Sequence, residues 1–283
     1  MKTIQWFPGH MAKARREVRE KLKLVDFVIE LVDARAPLAS QNPMLQEILQ
    51  QKPKMQVLMK KDLADPELTN KWLEKLRADE IEAVAVDVQN RQDIQKVIET
   101  AKKMTAEKME RLKKKGVRPR AGRAMIIGIP NVGKSTLINR LANKKIAKTG
   151  DRPGITTAQQ WIKIKKDFEL LDTPGILWPK FEDQNVGYRL AAIGTIKDQI
   201  LSIEDIARFT LKFIQEEYPQ LLLERYQLLN PEADYIEIIQ QIGRQRGALA
   251  QGGSVDLEKT AELVIRDFRT GKLGPITLEK PNP

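Results

Sequence analysis

Two glycines, a lysine and a serine in Gly128-Ile129-Pro130-Asn131-Val132-Gly133-Lys134-Ser135 stand at the spacing of a phosphate cradle. The glycines let backbone N–H groups curl around an anion, and Val132, Gly133 and the first helical turn through Thr136 offer unpaired donors. Lys134 can reach the outer phosphates, and the Ser135 hydroxyl can ligate Mg2+. Asp172-Thr173-Pro174-Gly175 follows 37 residues past Ser135. An aspartate ending an apolar strand can hold a magnesium-bound water, and Gly175 can donate its N–H to a terminal phosphate and act as a pivot. This is chemistry on a nucleoside triphosphate.

These groups need rigid elements behind them. The apolar run Ala124–Ile127 and the segment Thr136–Leu141 predict a strand before the cradle and a helix after it, and Phe168–Leu171 predicts a strand that delivers Asp172. Trp161–Ile164 reads as its hairpin partner. Between them and the cradle lies a polar loop containing Pro153-Gly154-Ile155-Thr156-Thr157. It is placed to close over a terminal phosphate and its metal, which makes Thr156 and Thr157 candidate ligands. Upstream, Val25–Val32, Met55–Met59 and Ala83–Val86 read as strands, with helices over 43–49 and about 66–76 and another through Ile94, Val97, Ile98 and Ala101. Such alternation predicts an α/β layer. Beyond Pro179 the strand signals fade and helical periodicities occupy 186–193, 202–215, 218–229, 234–242 and 256–269. The expected organisation is a nucleotide domain over 1–179, including a basic N-terminal helix, and an all-helical domain over 180–283. The Pro-rich end after Gly274-Pro275 is expected to be loosely held.

The strand Met55–Met59 ends in Lys60-Lys61-Asp62. A carboxylate there can accept paired hydrogen bonds from guanine N1–H and its exocyclic amine, while adenine offers no such pair at that edge. The aliphatic stem of Lys60 can lie along the ring. Alone such a turn is as readily surface charge, but following an apolar strand in a chain with a phosphate loop and Asp172-Thr173-Pro174-Gly175 it is a partial signal for guanine, read by Lys60 and Asp62.

Composition narrows the partners. With 283 residues and 41% hydrophobic content the chain can build a substantial core, which excludes global disorder. The absence of cysteine excludes disulfides and thiolate metal sites and fits a reduced, cytoplasmic setting. Its apolar stretches are too short and interrupted for a membrane span. The formal charge of +11 is uneven: residues 102–123 hold ten basic and two acidic side chains, and 180–283 hold 13 basic and 16 acidic. Such blocks suit a polyanion such as RNA, or else a solvated helix face and basic linker. Candidate RNA contacts are Arg111, Lys113, Lys114 and Lys115 in the first block and Arg244, Arg246, Arg266, Arg269 and Lys272 near the end.

The motif set resembles that of translation-factor-type GTPases, but Lys60–Asp62 precedes the phosphate loop instead of following it. That order resembles the circularly permuted GTPases, and among them the bacterial ribosome biogenesis GTPase A (YlqF) family. The likeness extends over Gln5-Trp6-Phe7-Pro8-Gly9-His10-Met11, Asp33-Ala34-Arg35, Asn42-Pro43, Pro153–Thr157, Asp172–Trp178, Arg244–Gly247 and Asp267–Gly274. It implies a circularly permuted P-loop GTPase domain joined to a helical RNA-binding domain. It further implies GTP as substrate, Mg2+ as cofactor, and ribosomal RNA and the large ribosomal subunit or its precursor as partners. Neither DNA nor a membrane is expected, and the free protein is expected to be monomeric. The resemblance also implies that Asn131 helps to hold K+ beside the phosphates and that His10 positions the attacking water. Lys134 and Gly175 complete the expected catalytic set. Two positions depart from common GTPase patterns. Met59 replaces the asparagine that usually opens the base-reading motif, so weaker guanine binding or discrimination is expected. Ile176 stands where translation factors carry glutamine, and it cannot orient water. Two other readings of the whole remain at this point: a nucleotide-controlled RNA-binding protein with negligible turnover, and an ATP-dependent P-loop enzyme.

Overall fold

A computed structural model describes residues 16–49, 52–118, 120–146, 161–164, 168–173, 183–196, 201–228, 230 and 232–281. Six strands form one sheet: β1 Phe27–Asp33, β2 Lys54–Met59, β3 Glu82–Val86, β4 Gly122–Gly128, β5 Trp161–Ile164 and β6 Phe168–Asp172, in the spatial order β3-β2-β1-β4-β6-β5. All neighbours run parallel except β5, which pairs antiparallel with β6. Every residue of β1 is buried. A central strand covered on both faces reads as a continuous apolar run, which is why Val25–Val32 announced itself without alternation.

Helices cover the sheet. They are α1 over 16–22, α2 Pro43–Leu49, α3 Pro66–Ala78, α4 Arg91–Lys114 and α5 Lys134–Ala142. Local chemistry sets their starts: Asp65 accepts from Glu67 N and Leu68 N with Pro66 in the first turn of α3, and Asn90 accepts from Gln92 N to begin α4. Helix α4 runs on through most of the basic block. Its first half buries Val97, Ile98 and Ala101, while Lys102, Lys103, Lys108, Arg111, Lys113 and Lys114 ride exposed on the second.

The C-terminal region is helical throughout its regular elements: α6 Gln184–Ala192, α7 Ile203–Glu217, α8 Pro219–Tyr226, α9 Tyr235–Arg246 and α10 Leu257–Arg269. Ile206, Leu211 and Ile214 of α7 and Val264, Ile265 and Phe268 of α10 belong to the same contiguous core as the strands.

The end of the chain corrects one expectation. Far from loosely held, the segment after Gly274 buries Ile276, Thr277, Leu278 and Glu279. It lies against the loops that follow β1 and β2 and against α3: Ile276 N donates to Leu63 O at 3.1 Å, Leu278 N to Arg35 O at 2.6 Å, and Trp72 Nε1 to Glu279 O at 3.1 Å. The Glu279 carboxylate accepts from Leu38 N and Ala39 N at 2.7 and 3.0 Å. Backbone groups in an irregular segment still need partners, and here Leu63, Arg35 and Trp72 supply them.

Candidate nucleotide site

The carboxyl ends of the central strands meet at one edge. Asp33 pairs in register with Met59, Met59 with Val86, Leu31 with Gly128 and Ile126 with Asp172. In an open α/β sheet this edge is where ligands sit. The structure thus brings the base-reading loop, the phosphate loop and Asp172 to a common side although they come from widely separated sequence.

The phosphate loop leaves β4 at Gly128, where an added Cβ would lie 3.1 Å from both Leu31 Cβ and Val132 Cγ1. Asn131 and Gly133 take left-handed conformations with φ of 60° and 103°. Helix α5 then starts at Lys134 with no side-chain cap, which leaves its first N–H groups for a ligand, with Ser135 and Thr136 in that turn. Lys134 Nζ donates to Asp172 Oδ1, and both side chains are about 10% exposed. Thr173 steadies the end of β6 by donating its hydroxyl to Ile126 O at 2.6 Å. The Lys134 ammonium and the Asp172 carboxylate thus meet from neighbouring elements, with Ser135 next in the first turn of α5. Hard oxygen donors of this kind suit Mg2+ when phosphates supply the remaining ligands.

At the base-reading loop, Lys60 has φ of 59° and opens a short 3-10 turn, Lys61–Leu63. Its Nζ lies 3.0 Å from Asp33 Oδ2. Asp62 is exposed on that turn. Partial burial pushes its carboxyl above its ordinary value and the Asp87 charge adds to the effect. Hydrogen-bond donors of a base would oppose that shift. Met59 is buried behind the loop, and its methyl lies 3.1 Å from where a Cβ on Gly133 would stand. An apolar contact thus occupies the junction at which an asparagine would bond.

Sequence reasoning gave Arg35 no role. The structure buries it fully: Nε and Nη2 donate to the two Asp33 oxygens at 2.9 and 2.8 Å, Nη2 also reaches Ile193 O at 3.4 Å, and the guanidinium lies 5.4 Å from the Phe268 ring centre. Burial alone would raise the Asp33 carboxyl, but Arg35 and Lys60 outweigh it and hold the group well below the usual carboxylate range. An arginine next to an aspartate at a strand end was the available signal.

Asn131 is exposed, and its Nδ2 donates to Gly194 O at 3.0 Å. Among the candidate RNA contacts, Arg111, Lys113, Lys114 and Lys115 are exposed at the end of α4, and Arg244, Arg246, Arg266 and Lys272 are exposed in the helical region. Arg246 also donates to Arg225 O at 2.6 Å and lies over Tyr226. Arg269 is placed otherwise than a surface contact requires: half-buried, it donates through Nε to Ala192 O at 3.1 Å and through Nη2 to Ala191 O at 2.7 Å. His10, Thr156, Thr157 and Gly175 lie outside the described residues. Among the described residues no helix is long and apolar enough to cross a membrane.

Comparison with known proteins agrees with this geometry. A family model described as a 50S ribosome-binding GTPase matches residues 123–239. Ribosome biogenesis GTPase A of Bacillus pumilus is 57% identical over 279 residues, covering 99% of each chain. The protein of that description from Thermotoga maritima is 32% identical, covering 98% of this chain and 95% of its own. The GNP-bound crystal structure of YlqF from T. maritima superposes with a TM-score of 0.65 at 26% identity, over 95% of this chain and 99% of that one.

Proposed function

The chain belongs to the ribosome biogenesis GTPase A family, and from that premise we propose that it assists maturation of the large ribosomal subunit by binding ribosomal RNA under the control of GTP. It is a circularly permuted P-loop GTPase with a C-terminal helical region, and it hydrolyses GTP in a reaction tied to ribosome assembly. That membership sets aside the ATP-dependent and non-hydrolysing alternatives. Mg2+-dependent catalysis follows from the same membership.

The finer assignments are ours. Water attacks the terminal phosphorus, the bond to the bridging oxygen breaks, and negative charge grows on the departing diphosphate. Lys134 neutralises that charge, and the N–H groups of Val132, Gly133 and the first turn of α5 hold the phosphates. Ser135 and Asp172 would hold Mg2+, with Thr156 or Thr157 as a further ligand, and the ion would supply positive charge against the charge of the phosphates. Nucleotide entry requires Lys134 to exchange part of its bond to Asp172 for phosphate. Asp62 reads guanine and Lys60, steadied by Asp33, lies against the ring. Asn131 would help to hold K+, Gly175 donates to the terminal phosphate, and His10 orients the water because Ile176 cannot. The RNA partner is held by the exposed cations of α4 and of the helical region, and the protein acts in the cytoplasm.

What supports this reading most directly is the convergence of the phosphate loop, Asp172 and the Lys60–Asp62 turn on one edge of the sheet. Its test is turnover of GTP and ATP, each with and without purified large subunits. GTP turnover stimulated by subunits is expected, and equal rates with the two nucleotides or indifference to subunits would reject it.

A further inference from the structure

The last carbonyls of an α-helix lack partners within the helix and carry its negative dipole end. At the end of α6 four consecutive carbonyls receive side-chain donors from three distant parts of the chain. Ala191 O and Ala192 O accept from Arg269 of α10, Ile193 O accepts from Arg35 after β1, and Gly194 O accepts from Asn131 of the phosphate loop. The turn is held to this course by Gly194 itself, whose φ is 84° and where an added Cβ would lie 3.3 Å from Arg269 Nε. No other residue adopts that conformation there without strain against the guanidinium.

Each donor leads to something different. Arg269 belongs to the helical region, packed beside Phe268, over which Arg35 lies. Arg35 leads through Asp33 to Lys60 of the base-reading loop. Asn131 is the phosphate loop's own side chain. A carbonyl can only accept, so Asn131 must turn its Nδ2 toward Gly194, and this leaves Oδ1 as the group's remaining acceptor. The Gly194 carbonyl thereby fixes which face of the amide is offered to the nucleotide side.

We propose that Arg269 is a positioning residue for the phosphate loop: by holding the α6 turn from the helical domain, it keeps Gly194 O where it orients the Asn131 amide. The contact gives the helical domain a direct hold on the nucleotide site that does not pass through the loop after Asp172. It rests on the GTPase reading above only for its effect on turnover; its effect on the phosphate loop's order stands apart from catalysis.

The test uses the full-length protein and two readouts. Amide hydrogen exchange of the nucleotide-free protein is followed in the peptide spanning 129–136 for wild type, Arg269→Ala, Asn131→Ala and the double variant. Both single variants are expected to speed exchange there several-fold, Asn131→Ala the more because alanine also disfavours the left-handed φ of 60° at that position, with the double variant no faster than Asn131→Ala because both break the same link. GTP turnover on the same samples should fall several-fold with the same lack of additivity. A phosphate-loop peptide that exchanges at the wild-type rate in Arg269→Ala, with faster exchange confined to 184–194, would overturn the proposal, as would additive effects. Should Arg269→Ala not fold, Arg269→Lys replaces it: a lysine keeps the charge but lacks the fork that reaches two carbonyls, so an intermediate increase at 129–136 is expected and no increase overturns. Absence of turnover in the wild type would reject the GTPase reading and leave the exchange result to decide this one.

Discussion

The methyl group of Met59 meets the phosphate loop at Gly133, 3.1 Å from the place of an absent Cβ. An apolar contact therefore joins the base-reading and phosphate loops where an amide would do so by hydrogen bonds. Met59→Asn is expected to tighten GDP binding, because the purine becomes the amide's partner, and to lower the melting temperature without nucleotide, because the shorter polar side chain is buried unpartnered at a cost of about 1–3 kcal/mol. GDP titration and thermal melts check both halves. Unchanged affinity in a folded variant would show that Met59 does not weaken the site.

Lys134 and Asp172 neutralise each other in a nearly closed site. Lys134→Ala is expected to lower GTP turnover by about 100-fold or more, since one preorganised donor to the transition state is lost. It should also destabilise the nucleotide-free protein by leaving Asp172 unpaired. Ser135→Ala should raise the Mg2+ concentration needed for half-maximal rate. Steady-state rates across a Mg2+ series measure both, and near-normal values would reject the assigned roles.

Asp26 sits where the start of β1 meets the end of α4, accepting from Lys108 Nζ at 2.5 Å, Arg120 Nη1 at 2.8 Å and Arg123 N at 2.8 Å. Burial raises its carboxyl, but these donors prevail and bring it from the ordinary 3.8 down to about 2. A depressed carboxyl stabilises the fold above its ordinary value, and the gain is lost as pH falls through about 2. The full effect is roughly 2 kcal/mol, an upper figure because Lys108 and Arg120 are well solvated. Asp26→Asn should therefore lower the urea midpoint clearly at pH 7 and by about half as much at pH 3. An equal gap at both would mean that the charge is not the source.

Arg111, Lys113 and Lys114 crowd the last turn of α4, and Lys115 follows as its C-cap. Neutralising all four should weaken large-subunit binding and flatten its dependence on salt by about 0.7–0.9 in log–log slope for each phosphate that is no longer neutralised. Binding measured from low to moderate salt provides the slope. If it does not change, this turn is only a solvated end of the helix.

For His10 the expectation concerns the assembled state. His10→Ala should keep GTP and subunit binding and lose most subunit-stimulated turnover while the slow intrinsic rate changes less. Single-turnover cleavage at saturating subunits and matched GTP occupancy measures it. Equal wild-type and variant rates there would remove His10 from the mechanism.

The strands and the phosphate loop were legible because their signals are local. Val57 and Ile126 lie in short apolar runs that turn signals bound, and the glycines of the cradle are needed by its own backbone. The C-terminal segment was not legible for the opposite reason. Ile276 and Leu278 have no helical or strand partners nearby in sequence, and their burial depends on Leu63 and Arg35, more than 200 residues away in the chain. Arg269 read as a surface cation since nothing near it announces the α6 carbonyls that it meets. The basic block posed an intermediate case: its charge was plain, but only the apolar positions Val97, Ile98 and Ala101 hinted that α4 would carry it as ordered helix.

The hold of Glu279 on Leu38 spans 241 residues of chain, and it bears on how the protein comes into being. The loop after β1 is made early in synthesis, yet the carboxylate that receives its N–H groups has still to be translated. At typical elongation rates that interval is roughly ten to fifty seconds. Until then Leu38 N and Ala39 N must rely on water, and for much of the interval Arg35 lacks Ile193 O and the Phe268 ring that lie against it. The nascent GTPase domain thus waits, with its base-reading edge unfinished, for a segment that first has to clear the exit tunnel of the ribosome translating it.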